Sequence, residues 1–220
     1  MTAPALIFDL DGTLIDSAPA IHAVSNATLA ARGFPALSQD EVRSFVGKGV
    51  PHLVRCLLQR HGQDPDGPLF AKVHDDLIAR YETEVAGNTP YPGVVEALRA
   101  LADMGCALAI ATNKPLRPAL AAIRHVGLDG LCHVVLGGDS LPTCKPDPAM
   151  VHEAQRQLGR PLALFIGDSE VDAEAAANAG LPFLLFTEGY RKTPVEALPH
   201  AARFDHFDRL PGLVAGWPRG

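Results

Sequence analysis

A chain of 220 residues with 47% apolar side chains can bury a sizeable core, and a main domain plus a smaller one fits that length. Nineteen basic against 25 acidic residues give a net charge of −6, so no broad cationic footprint marks a nucleic-acid partner, and an anionic ligand would need a local cluster of donors. No apolar run reaches transmembrane length, and no basic segment leads into a long apolar stretch near the N-terminus, so neither a membrane partner nor a secretory leader is expected.

Leu6-Ile7-Phe8 is an apolar run short enough to be a buried strand, near residues 4–9. Asp9-Leu10-Asp11-Gly12-Thr13 follows directly. Two carboxylates two residues apart thus stand where a strand ends, and a bend there turns both toward one point. Anions so close repel each other and raise at least one pKa unless a cation joins them, which Mg²⁺ would do. The pattern suits attack by one carboxylate on phosphorus while the other moves protons. An acidic turn after a strand is the plainer alternative.

Ser17 is placed to cap a helix that tolerates Pro19 in its first turn, with Ile21, Val24, Ala27 and Leu29 forming a stripe until Gly33. Ser38-Gln39-Asp40-Glu41 is a capping-box pattern. Val50, Leu53, Val54, Leu57 and Leu58 form one helical face, and Phe70, Val73, Leu77 and Tyr81 form another. Residues 17 to about 85 therefore read as helices only. Asn88–Gly93 is a turn-rich break.

The rhythm then changes. A helix over Val94, Leu98 and Leu101 leads to an apolar strand at 107–111, a helix near 116–126, a strand at 134–136, and a helix at about 147–158. A strand at 162–166, a helix near 171–179, a strand at 183–186 and a short helix around Leu210–Val214 complete the pattern. Apolar strands alternating with helices imply a parallel sheet covered on both faces. The chain is thus read as α/β: a Rossmann-like core of residues 1–16 and 86–220, interrupted by a helical cap at 17–85. Ligands of such sheets bind beyond the carboxyl ends of the strands, which is where the acidic turn lies.

Three further strand ends carry polar groups. Thr112-Asn113-Lys114 offers a hydroxyl and backbone amides suited to phosphate oxygens. Lys145, in Cys144-Lys145-Pro146-Asp147-Pro148, can neutralise a phosphate or an aspartate; a solvated loop lysine is the alternative. In Gly167-Asp168-Ser169-Glu170-Val171-Asp172 the spacing puts Asp168 at the strand end and Asp172 on the next helical turn, where both can face a hard cation. Asp172 could instead complement the helix dipole. The cysteines, Cys56, Cys106, Cys132 and Cys144, form no metal motif, and Cys106 reads as a buried free thiol, so a reducing cytoplasm is the simplest location. The nine histidines show no ligand spacing.

Taken in order, Asp9-Leu-Asp-Gly-Thr13, Thr112-Asn113, Lys145-Pro146 and Gly167-Asp168-Ser169 with Asp172 resemble the haloacid dehalogenase-like superfamily over essentially the whole chain. Asp16-Ser17-Ala18-Pro19, Thr112–Pro115, Gly138-Asp139 and Phe45–Val50 look like its phosphoglycolate phosphatase branch, although Lys48 stands where that branch often has asparagine or another polar residue between two glycines. The resemblance implies Mg²⁺ dependence and an aspartyl-phosphate intermediate, with Asp9 as nucleophile and Asp11 as acid and base. It implies Asp9, the Asp11 carbonyl and Asp168 on the metal, Asp172 behind them, and Thr112, Asn113 and Lys145 on the phosphate. Gly47-Lys48-Gly49 would face the substrate, with Lys48 reading its carboxylate.

The expected substrate is a small phosphorylated metabolite, 2-phosphoglycolate first, acted on by a monomer or homodimer. Other small-metabolite phosphatases, for pyrophosphate or sugar phosphates, and a phosphoglucomutase-like phosphotransferase share several of these features. Asp11 and its Gly-Thr sequel speak against a dehalogenase, and the complete acidic and basic set speaks against a non-catalytic binding module.

Overall fold

Alternation along β1 (Ala5–Phe8) divides the molecule. Leu6 and Phe8 face one side of a sheet, and Ala5 and Ile7 face the other, all of them buried. The computed structural model describes residues 3–217. After β1 come β2 (Ile15–Asp16), α1 (Ala18–Ala30), α2 (Gln39–Arg43), α3 (Val50–Arg60), α4 (Phe70–Thr83) and β3 (Thr89–Pro90). Then α5 (Val94–Asp103), β4 (Ala107–Ala111), α6 (Leu116–His125), β5 (Val134–Leu136), α7 (Ala149–Leu158), β6 (Ala163–Gly167), α8 (Glu170–Ala179), β7 (Phe183–Phe186), β8 (Ala202–Phe204) and α9 (Leu210–Ala215) follow. No helix among the described residues is long and apolar enough to cross a membrane.

Six strands form one parallel sheet in the order β5-β4-β1-β6-β7-β8. Each crossover needs a covering element, which is why these strands are apolar on both faces. One face packs Leu6, Phe8, Leu108, Ile110, Leu164 and Ile166 against α5, α6 and α9. The opposite face packs Ala5, Ile7, Ala109, Phe165 and Leu185 against α7 and α8. The expected α/β class and covered parallel sheet are therefore present. Strand order runs outward from β1 to β5, then resumes at β6 on the other side of β1. That reversal opens a crevice beyond the carboxyl ends of β1 and β6. In register, Phe8 lies opposite both Ile110 and Ile166, so Asp9 emerges beside Ala111 and Gly167.

Helices α1–α4 share a separate core that includes Ile21, Val24, Leu29, Val42, Leu53, Leu57, Val73 and Leu77. The capping box at Ser38 and Glu41 closes reciprocally, with Glu41 N–H to Ser38 Oγ at 3.3 Å and Ser38 N–H to Glu41 Oε2 at 3.0 Å. Where the chain enters and leaves this insert, Ile15 pairs with Pro90 and Asp16 with Thr89 in an antiparallel ribbon. Sequence reading placed a turn at Asn88–Gly93 and no strand at 15–16, because two residues carry no periodicity. Strand β8 was also unforeseen: it has three residues, lies at the sheet edge and points Arg203 to solvent.

The Ser17 expectation needs correction. Ser17 precedes α1, but its side chain makes no capping bond. Instead the Tyr190 hydroxyl accepts from Ser17 N–H (2.7 Å) and Ala18 N–H (2.8 Å) and donates to Asp16 Oδ1 (2.6 Å). A distant phenol has taken the task that a local hydroxyl usually performs.

Candidate active site

The bend after β1 is built on one carbonyl. Leu10 O accepts from the amides of Thr13, Leu14 and Ile15 at 3.3, 3.0 and 3.1 Å. Gly12 stands at φ 91°, and a Cβ there would lie 2.7 Å from Asp168 Oδ2 and 2.8 Å from the Tyr190 ring. Both the backbone conformation and the space require glycine. Gly12→Ala is therefore expected to cost about 1–3 kcal/mol of stability and to depress activity with it, measured by thermal melting beside an ester assay. Thr13 then donates its hydroxyl to Asp168 Oδ1 at 2.7 Å, fastening the β1 turn to the end of β6.

Three buried carboxylates meet here. Asp9, Asp168 and Asp172 each offer an oxygen within 4.8 Å of the other two. Lys145, itself buried, donates at 2.7 Å to Asp9 Oδ1 and at 2.7 Å to Asp172 Oδ1. The other Asp172 oxygen accepts from the Ser169 amide and hydroxyl in a second capping box, at the start of α8. Asp172 thus serves Lys145 and the helix together. Asp168 is oriented by Thr13 and by the Tyr190 amide.

The charges do not balance. Three carboxylates face one ammonium, which leaves a deficit of two positive charges in a buried place. Burial pushes Asp9 up to about 7 even against the pull of Lys145. Burial, with Asp172 and Asp9 nearby, pushes Asp168 well above the usual carboxylate range. For Lys145, burial alone would lower the pKa, but Asp172 and Asp9 outweigh it and hold the ammonium charged. A divalent cation would restore neutrality. With Asp172 already engaged, Asp9 and Asp168 are the groups to hold it, and an all-oxygen donor set fits a hard ion.

The residues expected to hold phosphate are brought to the same place. Thr112 is buried, and its Oγ1 accepts from the Lys114 amide at 3.2 Å. The Asn113 side chain is a brace: its Nδ2 donates to Lys145 O (2.9 Å) and to Gly47 O (3.0 Å), and its Oδ1 accepts from Lys145 N–H (2.9 Å). Asn113 therefore positions Lys145 and ties the Gly47–Gly49 loop to the sheet. Together these residues line a cavity of about 290 Å³ under the helical insert. Lys48 also lines it but is an exposed residue, as is Lys192 from the loop after β7.

Sequence reasoning assigned no role to Lys114, Tyr190 or Arg43. Lys114 is buried, donates to Asp11 Oδ1 at 3.0 Å and Oδ2 at 3.3 Å, and lies 5.0 Å from the centre of the Tyr81 ring. Its place one residue beyond Thr112-Asn113 was the available signal. The Arg43 guanidinium lies 5.0 Å over the Tyr190 ring and donates to Gly189 O at 2.9 Å, joining α2 to the core. Arg43 is an exposed residue that nonetheless makes this contact. Arg55 is also exposed and pairs with Asp66 at 2.7 Å.

A family model described as haloacid dehalogenase-like hydrolase matches residues 3–180. A phosphoglycolate phosphatase of Rhodobacter capsulatus is 66% identical over 215 residues, covering 98% of each chain. Among solved structures, one described as a predicted phosphoglycolate phosphatase from Haemophilus somnus superposes with a TM-score of 0.89 at 29% identity, covering 97% of this chain and 98% of that one. CbbY from Rhodobacter sphaeroides in complex with phosphate gives 0.82 at 25% identity, covering 95% and 96%. The chain belongs to the haloacid dehalogenase-like hydrolases.

Proposed function

We propose that this haloacid dehalogenase-like hydrolase is a Mg²⁺-dependent phosphomonoesterase whose substrate is 2-phosphoglycolate. One observation carries the chemistry: a buried aspartate at the end of the central strand, held by a buried lysine and facing a second buried carboxylate. The 66% identical phosphoglycolate phosphatase supports the choice of substrate.

Asp9 supplies the nucleophile. Its carboxylate forms a bond to phosphorus as the bond from phosphorus to the ester oxygen breaks. Asp11 gives that oxygen a proton, then takes one from the water that hydrolyses the aspartyl phosphate. Lys145 fixes the Asp9 rotamer and sets a full positive charge beside the phosphoryl group. Thr112 and the Asn113 amide hold phosphate oxygens. Asp9, Asp168 and the Asp11 carbonyl would hold Mg²⁺, whose charge would offset the phosphoryl oxygens.

Residues 17–85 act in this reading as a cap over a catalytic core of residues 1–16 and 86–220, of which residues 1–2 and 218–220 lie outside the described part. One chain carries the whole residue set, so a monomer suffices and a homodimer is compatible. The free thiols of Cys56, Cys132 and Cys144 suit the reducing cytoplasm we assign.

The test is a panel of phosphate esters assayed with and without Mg²⁺. 2-Phosphoglycolate should give the highest kcat/KM, and activity should disappear in excess chelator and return with Mg²⁺ but not with Ca²⁺. Full activity in chelator, or a higher kcat/KM for a neutral sugar phosphate, would overturn the reading. Lys48 and Lys192 place two exposed charges at the cavity of an otherwise acidic protein. Lys48→Ala is accordingly expected to lower kcat/KM severalfold for any phosphate ester in dilute buffer. Salt near 1 M, where the screening length is about 3 Å, should erase that loss. A salt-independent loss would place Lys48 in direct contact with the substrate instead.

A further inference from the structure

Lys114 has no part in the chemistry just described, yet it is buried in the same cavity and its ammonium reaches both oxygens of Asp11. That contact locates a positive charge on the leaving-group side. When Asp11 serves the ester oxygen, whatever is attached to that oxygen lies next to Lys114. In 2-phosphoglycolate the carboxyl carbon is two covalent bonds from the ester oxygen. The substrate's second anion thus falls within reach of a cation that already touches Asp11. Lys145, the other buried cation of the cavity, is occupied by Asp9 and Asp172. Lys48 and Lys192 are exposed.

We propose that Lys114 is the specificity-determining residue, and that its ammonium turns from Asp11 to the substrate carboxylate. The inference rests on the phosphoglycolate reading and deepens it. An ammonium has three donors on a flexible four-carbon stem, so it can change acceptors without moving the backbone. The Tyr81 ring, from α4, flanks the ammonium at 5.0 Å and favours a cation there whichever acceptor it uses. The exchange also explains why a cation sits on a carboxylate that must hydrogen-bond the ester oxygen. Only a ligand with its own anion at this spot draws Lys114 away and leaves Asp11 free. A neutral alcohol as leaving group leaves the pair in place.

The experiment compares 2-phosphoglycolate with 2-hydroxyethyl phosphate, which has the same skeleton without the carboxylate. The ratio of their kcat/KM values is measured in the parent, Lys114→Met, Lys114→Arg and Lys48→Ala proteins. The parent ratio tests the substrate reading, and a parent without preference overturns that reading on its own. The change in ratio tests Lys114. Lys114→Met should lower the ratio on the order of 10–100-fold, the usual worth of a lost charge-assisted contact. Lys114→Arg should restore part of it, and Lys48→Ala should leave it within about threefold. Equal losses on both esters in Lys114→Met would reduce Lys114 to a brace for Asp11 and overturn the proposal, as would a ratio that falls in Lys48→Ala alone. A second arm needs no variant. Moving the carboxylate one methylene farther, in 3-phosphonooxypropanoate, should cost the parent at least tenfold in kcat/KM, and equal turnover of the two acids would also overturn it.

Discussion

Asp9→Asn is expected to reduce turnover of 2-phosphoglycolate by at least about 10⁴-fold, the scale on which removing a covalent nucleophile acts. An amide oxygen cannot form the acyl phosphate, and no other carboxylate can substitute. Asp168 is turned toward Thr13 and the Tyr190 amide, and Asp172 is divided between Lys145 and the α8 capping box. The variant should nevertheless fold. Lys145 keeps Asp172 as its partner, and one charge leaves a cluster in which three carboxylates face one ammonium. Its melting temperature should equal or exceed that of the parent. Rapid-quench assays with labelled substrate should trap phosphoenzyme in the parent and none in the variant. Turnover within about tenfold of the parent would remove Asp9 as the nucleophile.

Asp9 and Asp168 were legible in the sequence because they sit at strand ends, which announce themselves, and Asp172 because it falls on the first helical turn after one. Short apolar runs such as Leu6–Phe8 and Leu164–Ile166 stop at Asp9 and at Gly167-Asp168, and parallel topology brings those stops to one edge. Chain order alone could not say what each polar group touches. Asn113 reads as a phosphate ligand beside Thr112, yet its side chain ties Lys145 to the Gly47 carbonyl. Tyr190 falls in a loop of mixed composition, and its hydrogen-bond partners lie more than 170 residues away or, for Asp168, 22 residues away. Contacts of that range have no periodic signature. The β2–β3 ribbon escaped for a different reason: two residues per strand, Ile15–Asp16 against Thr89–Pro90, give no alternation to detect. Local patterns disclose elements, and only the fold discloses partners.

Asp11→Asn separates the second carboxylate from the first. The side chain of Asp11 takes no part in the Asp9, Asp168 and Asp172 cluster and instead accepts from Lys114 with both oxygens. An amide oxygen can keep a hydrogen bond to that ammonium, and the backbone carbonyl assigned to the metal is untouched, so Mg²⁺ affinity should change little. What is lost is a group that can give and then take a proton. General acid and base catalysis is worth about 10²–10⁴-fold, and kcat on 2-phosphoglycolate should fall by that amount. The loss should depend on the leaving group. The glycolate alkoxide needs a proton as it departs, whereas nitrophenolate departs well without one. Formation of the phosphoenzyme from nitrophenyl phosphate should therefore be slowed far less than from phosphoglycolate. Its hydrolysis, which needs the base in either case, should be slowed equally for both. Phosphoenzyme should then accumulate on the nitrophenyl ester as a burst of nitrophenol followed by slow turnover. Pre-steady-state absorbance measures both phases. Equal slowing of phosphorylation on good and poor leaving groups, with no burst, would deny Asp11 the acid role and leave Lys114 as its only evident business.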